Sequence, residues 1–328
     1  MTVSAERPAG EGAPHARVPD FFIVGHPKSG TTALYEMLRA HPQIHMPLKE
    51  PQYFAPEMHV RAPPVAGTLP RTLEDYMALY SGAREGQLSG EASPSYLRSP
   101  VSAALIAQAN PAARAIAILR EPASFLRSLH LQFVQAIIET EYDFASALAL
   151  EDARREGRAL SAHSYWPHAL LYSDHVRYVE QLRRFHAVLA PEQVLVLVYD
   201  DFRAENEATV RRVLRFLEVD DSVAIDATEA NPTVRARSRR LHELAHTFSV
   251  GRGPLSRAVK TSVKALTPDT ARRRALAATR QRLLYAQPKP TDEALMRELK
   301  RRFKGEVVAV SEYLNRDLVS LWGYDSID

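Results

Sequence analysis

Asp20-Phe21-Phe22-Ile23-Val24-Gly25-His26-Pro27-Lys28-Ser29-Gly30-Thr31-Thr32 joins an apolar run to a short loop bounded by two glycines. A run of this length, rich in Phe, Ile and Val and closed by glycine, predicts a buried strand of a parallel sheet. From Thr31 to Arg39 the period changes, and Ala33, Leu34, Met37 and Leu38 fall on one helical face. Strand, loop and helix in that order open a parallel α/β unit, because parallel strands are joined by crossovers. The first N–H groups of the helix lack partners within it, so the loop is a ready anion site.

The alternation continues down the chain. Ala115 to Leu119 is a second apolar run, followed by Pro122 and a helical pattern that turns Phe125, Leu126, Leu129 and Phe133 inward. Val194 to Val198 is a third, set between a helix carrying Val176, Val179, Leu182 and Phe185 and one carrying Val210, Val213, Leu214 and Leu217. The expected fold is α/β, a parallel sheet flanked by helices. Met1 to Pro19, rich in Ala, Pro, Gly and charge, reads as a disordered tail, and residues 20–328 as one domain. Leu255 to Leu266 has helical spacing with Arg257, Lys260 and Lys264 in it, and Thr267-Pro268 breaks it before Arg272-Arg273-Arg274. Beyond Pro288 and Pro290, a last amphipathic helix aligns Leu295, Leu299, Phe303, Val307 and Val310.

Composition narrows the chemistry. Among 328 residues there is no cysteine, which excludes disulfides, thiolate metal sites, iron–sulfur clusters and a cysteine nucleophile. The N-terminal order of residues is not that of a signal peptide, and no apolar run reaches membrane-spanning length, so the cytoplasm is the expected compartment. A net charge of +3 conceals asymmetry: Arg235 to Lys304 holds 19 Lys and Arg against five Asp and Glu, which makes that segment +14 and the rest −11. Residues 245–290 therefore read as a basic helical insert or flap, suited to weak contact with an anionic membrane surface or an acidic substrate; no nucleic acid is expected. Solvated helix faces are the plainer explanation.

The loop is not that of a nucleoside triphosphatase. That motif places lysine directly after the second glycine, where it reaches the β- and γ-phosphates. Here Thr31 stands there, and the lysine lies inside the loop as Lys28. Pro27-Lys28-Ser29-Gly30-Thr31-Thr32 instead resembles the 5′-phosphosulfate loop of sulfotransferases that use 3′-phosphoadenosine 5′-phosphosulfate (PAPS), with their P-loop-like fold. Leu119-Arg120-Glu121-Pro122, with Ser128 eight residues after Arg120, is similar to that family's 3′-phosphate element. An arginine fork at a strand end and a hydroxyl on the next helix suit a phosphate. Leu48-Lys49-Glu50-Pro51-Gln52-Tyr53-Phe54 resembles the glutamate-led segment of heparan-sulfate-type sulfotransferases. Gly90-Glu91-Ala92-Ser93-Pro94-Ser95-Tyr96 resembles their Glu-Lys-Thr/Ser-Pro-x-Tyr segment, with Ala92 in place of the lysine. The likeness runs in order from about Phe21 to Phe216, with fainter echoes near Asn231 and at Asn315-Arg316-Asp317-Leu318 to Trp322.

The resemblance implies sulfuryl transfer from PAPS, as co-substrate, to a hydroxyl or amine of a carbohydrate, lipid or small-molecule acceptor, without a metal. Pro27, Lys28, Ser29, Gly30, Thr31 and Thr32 would hold the 5′-phosphosulfate, with Lys28 beside the bridging oxygen, and Arg120 and Ser128 the 3′-phosphate. Glu50 is the candidate base. His130 is the runner-up, since histidine titrates near neutrality, but it points about 200° away from Ser128 on a helix. Other readings are a nucleotide-binding kinase or regulatory protein of P-loop type and a zinc peptidase, because His242-Glu243-Leu244-Ala245-His246 formally matches His-Glu-x-x-His. A solvated helix face explains that match more simply.

Overall fold

The first apolar run is the centre of a sheet. The computed structural model describes residues 17–59, 69–161, 164, 166–225, 235–236, 285–286, 290 and 292–327. Strand β1 (Phe21–Gly25) is buried at every position, which is why it reads as a continuous apolar run and not as an alternating one. Helix α1 (Thr31–Arg39) follows it, then β2 (Ile44–His45), α2 (Leu73–Ala78), β3 (Leu88–Ala92), α3 (Ser102–Ala109) and β4 (Arg114–Leu119). After α4 (Pro122–Gln135), α5 (Phe144–Ala149), α6 (Glu151–Arg155) and α7 (Tyr178–His186) come β5 (Val194–Val198), α8 (Tyr199–Ala204) and α9 (Asn206–Leu217). The short strands β6 (Arg235–Ala236) and β7 (Tyr285–Ala286) pair antiparallel, and α10 (Glu293–Tyr313) and α11 (Leu318–Leu321) end the order.

The main sheet runs β2-β3-β1-β4-β5 with every pairing parallel. From β1 the chain first moves to the β2 edge, returns through β3, and then continues on the other side with β4 and β5. The reversal lies beside β1, and the carboxyl ends of strands at such a switch are where open α/β sheets take their ligands. Register slips between Ile23 and Gly25 against β4, a local irregularity that redirects the strand end. Phe21, Ile23, Ile116, Ile118, Leu195 and Leu197 share a buried cluster with Leu34 and Leu38 of α1 and Val210, Val213, Leu214 and Leu217 of α9.

Two compact units divide the chain. Met1–Pro56, Val65–Leu119 and Gln181–Thr228 make one, and it contains the whole five-stranded sheet; Glu57–Pro64, Arg120–Glu180 and Glu229–Asp328 make the other. In the first unit Arg17 to Pro19, expected as the end of a loose tail, are tied down: Arg17 bonds Asp20 and the Gln87 carbonyl, and Asn110 donates to the Pro19 carbonyl at 3.0 Å. In the second, Glu121 caps α4, its carboxylate accepting from the N–H groups of Ala123 at 2.9 Å and Ser124 at 2.7 Å, with Pro122 in the first turn. Tyr324 donates to the same carboxylate at 2.6 Å. Glu139 and Arg154 form a wholly buried ion pair at 2.8 Å, and Tyr172 donates to Glu139 at 3.1 Å. On α10, Leu299, Phe303, Val307 and Val310 are buried in the expected helical order. Residues 1–16, the predicted helix 255–266 and the Arg272–Arg274 cluster lie outside the described residues, as does nearly all of the 245–290 segment.

Candidate active site

The loop after β1 is built around two close approaches. At Gly25 an added Cβ would come within 2.5 Å of Leu97 Cβ and 3.1 Å of the Pro94 carbonyl oxygen, so the strand passes that segment only without a side chain. The N–H of His26 donates to the Ile118 carbonyl at 2.8 Å, which holds the loop to β4. The His26 imidazole is fully buried; burial pushes its pKa down to about 3, against the opposing pull of a hydrogen bond with Gln181. Lys28 then adopts φ 62°, a left-handed conformation uncommon for lysine, and Gly30 adopts φ 87°. Such backbone stores on the order of 1–3 kcal/mol at a non-glycine residue and recurs at ligand clamps. A side chain at Gly30 would also lie 2.8 Å from the Phe202 ring.

Gly30 caps α1 without a side-chain bond, and the first helical hydrogen bond runs from Leu34 N–H to Gly30 O at 3.0 Å. The N–H groups of Thr31, Thr32 and Ala33 are therefore without acceptors inside the helix. Ser29 is fully buried, and its hydroxyl has no hydrogen-bond partner among the described residues. A buried, unsatisfied hydroxyl is costly unless something else binds it. Helix dipole, amides without intrahelical acceptors, a hydroxyl and Lys28 are together a donor chemistry that suits an anion.

Glu50 stands at the same end of the sheet. Its N–H donates to the Ala92 carbonyl at 2.8 Å, and Ala92 is in register with Ile23 of β1. Glu50 and Gln52 both have left-handed φ, 62° and 53°, so the segment turns sharply while its amides stay on β3 and the residues after it. The Gln52 N–H donates to Ser93 Oγ at 3.1 Å and the Phe54 N–H to Tyr96 OH at 3.1 Å. The Glu50 carboxylate contacts the Lys49 ammonium, and both side chains keep solvent exposure, 43% for Glu50. Exposed ion pairs are worth about 1 kcal/mol or less, so this one leaves the carboxylate available. Arg39 at the end of α1 pairs with Glu36 at 3.3 Å. Lys49 is bridged in parallel to Ala92. A lysine thus stands beside the position at which the resembling segment carries one.

The remaining predicted residues belong to the second unit. Arg120, the residue after β4, is half-buried; its Nε donates to Ser124 Oγ at 3.2 Å, and its carbonyl accepts from Tyr178 OH at 2.7 Å. Ser128 is buried on α4. His130 is 2% exposed, its Nε2 lies 2.9 Å from the Glu141 carbonyl oxygen, and its ring packs on Phe144 and Tyr172 with centroids 5.1 and 6.0 Å away. Burial lowers its pKa, partly countered by the Glu141 carbonyl and by Glu139. This is the environment of a core histidine.

Sequence reasoning passed over one group. Glu91 is fully buried on β3, and Tyr76 of α2 donates its phenol proton to Glu91 Oε2. Burial raises the Glu91 pKa to about 7, with Ser93, Tyr76 and Tyr96 pulling the other way. Tyr76 gave no signal in the sequence because a six-residue helix has too few turns to show a period. The carboxylate of Glu91 within the Gly90–Tyr96 motif was the available clue.

Among the described residues no cluster of His, Asp or Glu could hold a metal ion, and no helix is long and apolar enough to cross a membrane. His242, Glu243 and His246 lie outside the described residues. In comparisons with known proteins, heparan sulfate glucosamine 3-O-sulfotransferase 3B1 of Mus musculus is 31% identical over 111 residues, 34% of this chain and 26% of that protein. Heparan sulfate glucosamine 3-O-sulfotransferase 6 of Homo sapiens is 31% identical over 125 residues, 36% and 33% of the two chains. The match thus spans a third or less of these relatives. A solved sulfotransferase from Alicyclobacillus acidocaldarius superposes with a TM-score of 0.65 at 25% identity, covering 93% of this chain and 98% of that one. The sulfotransferase domain matches residues 18–239, more than half of the chain, from the residues before β1 to beyond α9. The chain belongs to the sulfotransferase domain family.

Proposed function

We propose that the protein transfers a sulfuryl group from PAPS to a hydroxyl of a saccharide-like acceptor, with an amine, a lipid or another small molecule as the wider acceptor class. The observation that carries this reading is the β1–α1 loop. It combines the orphan amides of Thr31 to Ala33, a buried Ser29 hydroxyl without a partner, and Lys28 in a left-handed turn ahead of the helix. Those donors suit a 5′-phosphosulfate, and the missing lysine after Gly30 disfavours a γ-phosphate. The names of the two relatives support a sugar hydroxyl as acceptor.

In this reading the acceptor oxygen attacks sulfur in line, its proton passes to the Glu50 carboxylate, and the bond from sulfur to the bridging oxygen breaks. The electron pair leaves on 3′-phosphoadenosine 5′-phosphate. Lys28 and the loop amides stabilise the charge that grows on that leaving oxygen; one well-placed donor of this kind is worth roughly 3–4 kcal/mol. Arg120 and Ser128 bind the 3′-phosphate. Glu50 is favoured over His130 because its side chain keeps solvent exposure, whereas His130 is enclosed and tied to a carbonyl.

The test is nucleotide selectivity joined to turnover. At 100 times its dissociation constant, 3′-phosphoadenosine 5′-phosphate should add about 2.7 kcal/mol of stability, read as a rise in melting temperature, while ATP and ADP add little. Incubation with sulfur-labelled PAPS and a panel of saccharides should yield a labelled product. Equal stabilisation by ADP would overturn the reading.

A further inference from the structure

Alternate amides of the segment that carries Glu50 are held by a single short stretch of chain. Glu50 N–H goes to the Ala92 carbonyl, Gln52 N–H to Ser93 Oγ and Phe54 N–H to Tyr96 OH, at 2.8, 3.1 and 3.1 Å. Two of these acceptors are hydroxyls. A hydroxyl serves as an acceptor in a fixed direction only when its own proton is committed elsewhere. Both hydroxyls lie beside the Glu91 carboxyl, close enough to favour its ionised form. Tyr76 OH donates to Glu91 Oε2, and Tyr76 in turn stacks on Tyr53 of the Glu50 segment, centroids 4.7 Å apart and planes 14° from parallel. Glu91 Oε1 has no hydrogen-bond partner among the described residues, so the bond from Tyr76 to Oε2 is the one that ties this carboxyl to the Glu50 segment. Facing Glu91 are Tyr76 of α2, Tyr80 just after that helix, Ser93 and Tyr96 from the turn after β3, and Phe22, its register partner on β1.

We infer that Glu91 is a positioning residue for the transfer reaction: its buried carboxyl accepts the Tyr76 phenol proton and so fixes the ring stacked on Tyr53, beside the Ser93 and Tyr96 hydroxyls that hold the Glu50–Phe54 turn. Its action on chemistry runs through Glu50, and this part of the inference rests on the base reading given above. A buried carboxylate is costly, and a purely structural position would be better filled by an apolar residue. Small displacements of a reacting group lower rates by up to about 100-fold, which sets the scale of the effect.

The experiment compares Glu91→Gln, Ser93→Ala and Tyr96→Phe with the parent, reading both turnover and amide hydrogen exchange. The expected result is a roughly 10–100-fold loss of kcat for Glu91→Gln with an unchanged dissociation constant for 3′-phosphoadenosine 5′-phosphate. Exchange at the Glu50, Gln52 and Phe54 amides should rise about tenfold while β1 and β4 amides stay protected. Tyr96→Phe should reproduce the effect at Phe54 and Ser93→Ala at Gln52, which keeps the inference open to test if Glu91→Gln does not fold. Unchanged exchange at all three amides in the variants that fold overturns the inference whatever the activity. Glu50→Gln, assayed alongside, separates the two ideas: full kcat there sinks the base reading, while the exchange data still decide the role of Glu91.

Discussion

Lys28 and Glu50 share a backbone property that residues of their type seldom have. Both sit at φ 62°, one in the β1–α1 loop and the other in the turn beside β3. Each costs conformational energy that surrounding bonds must offset, and such positions cluster where a side chain has to be aimed. If Glu50 takes the acceptor proton, Glu50→Gln should lower kcat by roughly 10²–10⁴-fold and leave donor affinity nearly unchanged in initial-rate and titration measurements. If Lys28 holds the donor before and during the transfer, Lys28→Ala should reduce both. For Arg120→Ala, titration should show a much larger loss for 3′-phosphoadenosine 5′-phosphate than for adenosine 5′-phosphate; parallel losses would remove Arg120 from the 3′-phosphate role. His130→Ala should chiefly lower the melting temperature, because the ring fills a site between Phe144 and Tyr172.

At the scale of elements, the β1–α1 junction depends on the absence of a side chain at Gly30. Gly30→Ala combines a strained φ with a 2.8 Å approach to Phe202, and the expected cost is about 1–3 kcal/mol, read by denaturant titration. The double variant with Phe202→Leu should recover part of that loss if the ring contact is the cause. This junction was also the part most legible in sequence. Phe21 to Gly25, Thr31 to Arg39 and Val194 to Val198 appear as strand, helix and strand at the residues their periodicity indicates, because long buried runs and clean helical faces leave little choice. Strand β3 was recognised only as a motif. It reads Leu-Ser-Gly-Glu-Ala, and three of its five residues lack any apolar signature. Gly90 is there because the Phe21 ring lies against it, a contact no local pattern reveals. Strand β2, two residues long, is below what periodicity can detect. The hydroxyl cluster around Glu91 escaped for a similar reason: its members come from α2, β3 and the turn after it, and converge only in the folded chain.

For the whole molecule, two buried groups in the sheet-bearing unit set opposite pH dependences. The Glu91 pKa rises to about 7 on folding, so its contribution is greatest below about pH 4.5 and is lost as pH rises through 7. The His26 pKa falls to about 3, so its contribution is complete above about pH 6.5 and is lost as pH falls toward 3. Between pH 4.5 and 6.5 the two slopes oppose each other, and the parent should show a broad plateau in stability. Glu91→Gln removes one slope; its stability should fall on acidification through that window by on the order of 3 kcal/mol more than the parent's, measured by urea unfolding at fixed pH steps. A curve parallel to the parent's would mean that Glu91 is ionised in the folded state throughout.

The bond from Tyr324 to the carboxylate that caps α4 has a consequence for biosynthesis. Its two ends are 203 residues apart in the chain. At elongation rates of about 5–20 residues per second, roughly 10–40 s separate the synthesis of Glu121 from that of Tyr324. During that interval the helix start that follows Arg120 exists on the ribosome without its last hydrogen-bond donor. A nascent chain is therefore able to cap α4 with Glu121 early, but that carboxylate gains its tyrosine donor only once Tyr324 has been made. Termination anywhere before Tyr324 would yield chains that have the cap and lack the donor that holds it.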